Sequence, residues 1–508
     1  MSPPIITSWS SPPLSPLVKL CKGRDQIEAT YPLLAFYAVN PASASHLTEL
    51  ALDPDGWPKF ISCFMGDPNA PLDEPVKPVD ETAHGLLEDR VRKLGLSDKA
   101  TQVMLRTLAW KKAHLLGQKP DSPKGFAKHN NLYAEVASIL LISYARNINH
   151  LYVGGGISWR PLLEEYLKKS NYGLIPAEHR AFQSLETVEV LDLSWHDDER
   201  NYFRLEYLAH LHYFHRLPKF RNYVVDGTAE YQIDLQVFPP KSSSPSFKRI
   251  QARHTDISGG VLGTLLRTPK GLEEVVVSMG GLWSGDGGSP LVQLKTLGKC
   301  LLDQKDTLRV IDLDLEHGIY AREPEEEDEM VDQDVDEDYD VEGVSMRSVR
   351  EDEYFRIAES FATGPLFSNE LPDTRKYGYT IGSFHDFDQL THLSINVQAI
   401  VGPSKSASTP PYTKTLTEQP PFRMIDALPV NLEHFCLYGY RKGDNLDVDA
   451  HVNEFMEKKA ERLPRLKEVG GIDEEVVGEG AKYGIDADED DLWRGNMDKL
   501  ERLKSWEE

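Results

Sequence analysis

Apolar residues recur along most of the chain in one short frame, apolar–x–x–apolar–x–apolar, and the frame is clearest in LRVIDL, from Leu308 to Leu313. In an extended strand the last two apolar residues face one side and the residues between and beyond them face the other. Each copy therefore predicts a strand with one buried face. The frame returns as LTELAL from Leu47, INHLYV from Ile148, VEVLDL from Val188, FRNYVV from Phe220, LEEVVV from Leu272, LTHLSI from Leu390 and LEHFCL from Leu432, with FKRIQA from Phe247 a weaker member. From 188 to 308 successive starts lie 32, 27, 25 and 36 residues apart. Each gap has room for a short strand, a helix and two turns.

Helical periodicity fills several of the gaps. LYAEVASILLISYARN precedes Ile148, FRLEYLAHLHYFHRLP precedes Phe220, SGGVLGTLLRTP precedes Leu272, and SPLVQLKTLGKCLLDQKDT precedes Leu308. A strand with one apolar face and a helix with one apolar stripe cannot bury themselves alone, so neighbouring copies must stack. The expected fold class is α/β, an irregular repeat solenoid with parallel strands on one side and helices on the other, joined by right-handed crossovers.

The spacing also marks the segments. Residues 1–46 form an N-terminal cap. Residues 47–147 hold the first strand and a helical insertion carrying ETAHGLLEDRVRKLGL and ATQVMLRTLAWKKAHLLG, and residues 148–320 hold the main solenoid. In residues 321–380 like charge is too dense for packing, which predicts a largely disordered acidic insertion. Repeats resume over 381–471, interrupted by the Ser/Thr/Pro-rich loop SKSASTPPYTKTLTEQPP, and 472–508 form an acidic tail.

VEVLDL, LRVIDL, LTHLSI and LEHFCL resemble the strand signature of leucine-rich repeats, and their uneven spacing is similar to that of divergent leucine-rich-repeat proteins of filamentous fungi. The resemblance spans about two-thirds of the chain. It implies a curved solenoid whose strand face binds other proteins. In many members an N-terminal F-box adds docking to a ubiquitin-ligase adaptor, which implies selection of substrates for ubiquitination. Two departures stand out: the ninth position, usually Asn, holds Asp55, Gly156, His196, Thr228, Thr255, Gly280, Glu316, Gln398 and Tyr440, and the first stretch lacks the Leu-Pro-x-Glu helix start of an F-box.

Charge narrows the partners. The net charge is −25, and thirteen acidic residues lie within 323–342. Such a chain repels phosphate backbones and anionic membranes, so nucleic acid and membrane are excluded and a protein partner, a basic one in particular, is expected. Cys21, Cys63, Cys300 and Cys436 form no CxxC pair, which fits free thiols in the cytoplasm or nucleus rather than a disulfide framework or a zinc site. The N-terminus has no basic and apolar signal segment, and VASILLI at 136–142 is too short to span a bilayer.

The patches that look chemical have ordinary explanations. Asp312 and Asp314 share a strand face and would hold a divalent ion in a metal-dependent enzyme, but the repeat makes them the wet side of a half-buried strand. His212 and His215, three apart on a helix, lack a carboxylate at matching spacing, and His210 points elsewhere. Ser194, His196, Asp197 and Asp198 have no accompanying nucleophile turn, and neither WSGDGGSP at 283–290 nor VGGG at 153–156 completes a phosphate-binding fingerprint. No catalytic residue, cofactor or metal is expected. The candidate partner-binding positions, projecting from the strand face, are Tyr152, Asp192, Ser194, Trp195, Asp226, Gln251, Arg253, Ser278, Asp312, Asp314, Asn396 and Tyr438. A purely structural scaffold is the alternative to partner binding.

Overall fold

A computed structural model describes residues 17–20, 24–52, 78–118, 123–153, 161–190, 195–196, 199–200, 203–204, 210–229, 244–257, 259–280, 292, 294–316, 319, 379–406 and 414–478. The acidic stretch 323–342, the tail from 479, and Cys21 and Cys63 lie outside them. The architecture is α/β with parallel main strands. The chain divides into two compact units, one within residues 1–196 and 209–225, the other within 197–208 and 226–499.

In the first unit the parallel strands are β1 (Leu17–Leu20), β2 (Glu49–Leu52), β3 (His150–Val153), β4 (Thr187–Val190) and the start of β5 (Asn222–Asp226), each paired with the next in chain order. The second unit pairs β6 (Arg249–Thr255), β7 (Glu274–Met279), β8 (Val310–Asp314), β9 (His392–Asn396), β10 (His434–Tyr438) and β11 (Glu468–Gly470) in the same manner.

The first apolar residue of the frame is an anchor at every strand from β2 to β10. Leu47, Ile148, Leu185, Phe220, Phe247, Leu272, Leu308, Leu390 and Leu432 are each at most 1% exposed. The two later apolar residues are buried on the same side, as with Ile311 and Leu313 in β8 or Phe435 and Leu437 in β10. Between anchor and strand sits one carbonyl that accepts two successive N–H groups of the next strand. Thr48 accepts from Asn149 and His150, Asn149 from Glu186 and Thr187, and Glu186 from Arg221 and Asn222. In the second unit Lys248, Glu273, Arg309, Thr391 and Glu433 do the same for the strand that follows each, at 2.8–3.2 Å.

One copy of the frame is displaced from the sequence expectation. VEVLDL from Val188 is not the frame; LETVEV from Leu185 is, because Val188 and Val190 pair with Leu151 and Val153 on one side and with Tyr223 and Val225 on the other. Both readings satisfy the apolar spacing, and only pairing with the neighbours separates them. FKRIQA, the weak member, is a full one. Two edge strands escape the frame because Ser15 stands at the anchor position before β1 and Gly471 at the last apolar position of β11.

Helices pack on the apolar side. The expected insertion appears as α2 (Glu81–Lys93) and α3 (Asp98–Leu115), with α1 (Arg24–Val39) before them and α4 (Pro123–Tyr144) and α5 (Pro161–Asn171) after. Asp80 and Ser97 cap α2 and α3 by accepting first-turn N–H groups. Glu135 of α4, itself buried, accepts the N–H groups of Leu162 and Leu163 at 2.6 and 2.9 Å, which ties the start of α5 to the middle of α4. Lys111 is fully buried with its ammonium 4.8 Å from the Tyr133 ring centre. In the second unit α6 (Gly259–Arg267) packs on α7 (Leu294–Leu302), and α8 (Leu446–Arg462) starts at an Asn445 cap. The Ser/Thr/Pro-rich stretch is not wholly loop, since Ser404–Ser406 and Lys414–Leu416 pair antiparallel.

The two sides of one strand should respond differently to truncation. Ile395→Ala, on the helix side, should cost about 2–5 kcal/mol in urea unfolding, as core deletions do. Ser394→Ala, on the opposite side, should cost less than about 1 kcal/mol.

Candidate binding face

The side of each sheet away from the helices carries the third, fifth and seventh positions of the frame. In the second unit the fifth-position row is Gln251, Val276, Asp312, Ser394, Cys436 and Gly470, aligned by strand register, and all six are half-buried or exposed. The third-position row is Arg249, Glu274, Val310, His392, His434 and Glu468. Arg249 pairs with Glu274 at 3.0 Å, and the rings of His392 and His434 stack at 4.1 Å. Among the expected site residues, Gln251, Arg253, Asp312 and Tyr438 remain half-open on this face.

Four members of the seventh-position row depart from the expectation. Asp226, Ser278, Asp314 and Asn396 were expected to project, yet each is only 3% exposed. These residues stand where the chain leaves the strand and turns, so backbone N–H groups there need acceptors, and short polar side chains supply them. Asn396 Oδ1 accepts from the N–H of Leu315, and Ser278 Oγ accepts from the N–H of His254 at 2.9 Å. Asp314 is covered by the chain at Gly478, where an added Cβ would come within 2.0 Å of its carboxylate.

Asp226 meets a residue that the sequence pattern did not single out. Its Oδ1 lies 2.9 Å from His254 Nδ1, and both side chains are buried. His254 has φ of +44°, in the left-handed region that L residues seldom enter, at the point where the pairing of β6 with β7 skips a residue. The bulge turns the imidazole toward Asp226. Although Asp226, His254 and Ser278 adjoin, the serine hydroxyl serves a backbone N–H and not the imidazole, so this is not a nucleophilic triad arrangement.

In the first unit Tyr152 is also buried, contrary to expectation; it stacks on His150 at 4.3 Å and its hydroxyl reaches Glu49 at 3.4 Å. The displaced frame puts Glu189, not Asp192, on the same row. His150 Nε2 lies 2.8 Å from Glu189 Oε1, close but off a hydrogen-bond angle. Asp192, Ser194 and the side chain of Trp195 lie outside the described residues.

The two aspartates of LRVIDLDLE have separate fates. Asp312 accepts a 2.7 Å hydrogen bond from the Tyr438 hydroxyl, while Asp314 is buried at the strand end. Burial and, after it, the Asp312 charge push the Tyr438 hydroxyl well above the ordinary tyrosine range, and the same two causes raise the Cys436 thiol. Among the described residues no group of three or more His, Cys, Asp or Glu side chains is arranged to hold a metal ion, and no helix is long and apolar enough to cross a membrane. Neither Cys300 nor Cys436 is in a disulfide.

The histidines of LAHLHYFHRL do not share a long helix, since Leu211–Phe214 is a single turn. His210 and His215 are buried, and burial pushes both down to about 3. Comparison of the chain with protein-family models, curated proteins and solved structures finds no match.

Those two histidines should make the first unit acid-sensitive before its carboxylates titrate. Unfolded, each regains a pKa near 6.5 and binds a proton that the folded state refuses, so stability is full above pH 6.5 and falls as pH drops toward 3. The loss should approach about 1.4 kcal/mol per histidine for each pH unit below 6.5. Urea midpoints at pH 7.0 and 5.5 should differ less in His210→Leu than in the unmodified protein.

Proposed function

We propose that the chain is a non-catalytic protein-recognition module of the leucine-rich-repeat-like solenoid type, acting through the strand face of its second unit. The observation that carries this reading is the half-open row Gln251, Val276, Asp312, Ser394 and Cys436, with Arg253 and Tyr438 at its edge. The row mixes apolar, hydrogen-bonding and aromatic side chains on a rigid parallel sheet, the composition from which interface anchors are drawn. The repeated anchor and carbonyl described above support the solenoid part of the reading. The surplus of acidic residues favours a partner with a basic contact surface.

The setting that fits Cys300 and Cys436 standing outside disulfides is the cytoplasm or nucleus. Substrate selection for a ubiquitin ligase rests only on the resemblance to F-box leucine-rich-repeat proteins and would require an adaptor to bind residues 1–60.

The face is tested by affinity capture of the full-length tagged chain from its native cells, compared with Ser394→Arg/Cys436→Arg and with a control, Leu446→Arg, at an exposed position of α8. Partners retained by the control and lost from the double variant are the expected outcome. Identical partners from all three chains would remove the face from consideration.

A further inference from the structure

We infer that the strand face of the second unit seats a carboxylate of its protein partner, an Asp or Glu side chain, on the guanidinium of Arg253 with the amide of Gln251 beside it. The inference rests on the recognition reading above and gives one contact of that face its chemistry.

Arg253 stands on β6 at the seventh position of the frame, where the backbone is pinned on both sides. Its carbonyl accepts the N–H of Gly227 at 2.9 Å. The next residue, His254, lies at φ of +44° and gives its N–H to Ser278 Oγ at 2.9 Å. The guanidinium is thus carried on a fixed stretch of chain. The polar side chains at the same frame position on the neighbouring strands, Asp226 and Ser278, are both engaged by His254, the first by its imidazole and the second by its N–H.

Arg253 itself has no carboxylate. It makes no ion pair among the described residues, and the one hydrogen bond of its side chain runs from Nη2 to Gln251 Oε1, long at 3.5 Å. Nε is sealed from water without an acceptor, whereas Nη1, equally unbonded, is not sealed. A guanidinium is all donors, and a partly desolvated one without an anion lacks both full hydration and pairing. Elsewhere in the unit that need is met internally. Arg249 on β6 and Arg267 on α6 are also half-buried, and each has its carboxylate, Glu274 at 3.0 Å and Asp303 at 3.1 Å.

The donors left over are Nη1 and the amide N–H groups of Gln251, and a carboxylate can accept from both, one oxygen each. Hydrogen bonds to a charged pair of this kind are the stronger ones and fix position as well as affinity. Val276, the register partner of Gln251 and half-open like it, gives the stem of an Asp or Glu side chain an apolar neighbour. A phosphate would bring further negative charge, and the other β6 cation, Arg249, is already paired. The acidic surplus of the chain acts at long range on the partner's approach, while a contact at ion-pair distance is decided by the local group. A partner that is basic over its surface can therefore present one carboxylate here.

The test extends the affinity capture described above. Arg253→Gln should recover at least about tenfold less of the proteins that Ser394→Arg/Cys436→Arg loses, and Arg253→Lys, which keeps the charge but not the fork, several-fold less. In the same extract, Arg253→Lys treated with a carbodiimide, which joins an amine to a carboxylate in ion-pair contact, should form an amide bond from residue 253 to an Asp or Glu of a captured protein, identified by peptide mass spectrometry. Full capture by Arg253→Gln of proteins that the double variant loses would overturn the carboxylate anchor and leave the recognition face standing. A bond from residue 253 only to a carboxylate of the same chain would do likewise. If no captured protein depended on the double variant, both the face and the anchor would fall. Should Arg253→Gln fail to fold, the carbodiimide result decides, and absence of any bond from residue 253 to a captured protein overturns the anchor.

Discussion

The acceptance of two successive N–H groups by a single carbonyl, at the entry of eight of the main strands, is the constraint on which the rest of the structure depends. A parallel strand entering the sheet brings two successive N–H groups into a dry corner beside a buried anchor, and both need an acceptor. The carbonyl one residue after the previous anchor lies within reach of both. Once it is engaged, the following strand can pair only in the register that puts its apolar residues on the helix side. Sliding by one residue would break this contact and move every side chain to the wrong face. The same contact recurs from Thr48 to Glu433 across intervals of very different length, which is how a chain with irregular insertions keeps one strand geometry.

The opposite ends of the strands follow a different rule. There the chain departs in a new direction each time, and no common carbonyl is available. Asp226, Ser278, Asp314 and Asn396 occupy one frame position and are all polar, but their partners differ: an imidazole, a backbone N–H, a covering glycine and a backbone N–H. The strained His254 belongs to this set, its left-handed backbone held beside the carboxylate of Asp226. What remains open for recognition lies in the third- and fifth-position rows, with Arg253 and Tyr438 beside them at the seventh position.

Much of this was legible in the residues. The anchors, the helix-side apolar pairs and the helices before Ile148, Leu272 and Leu308 all lie where apolar spacing puts them, because burial depends on local period and on little else. The strand at Thr187–Val190 was misplaced by three residues, since VEVLDL and LETVEV satisfy the spacing equally well and only Leu151 and Tyr223 decide between them. The histidine pair was hidden as well. His392 and His434 are 42 residues apart, and nothing local marks them as neighbours until β9 and β10 align.

By itself, then, the sequence determined which side of each strand is apolar and roughly where each strand begins, because alternation is a property of consecutive residues. The tertiary structure alone decided which polar residues of the other side stay open. Alternation assigns Asp312 and Asp314 to the same face, but whether later chain comes back over that face depends on residues far away, such as Gly478 over Asp314 and Tyr438 beside Asp312. Exposure of a polar side chain is a sum over all its neighbours, and most of those neighbours are distant in sequence.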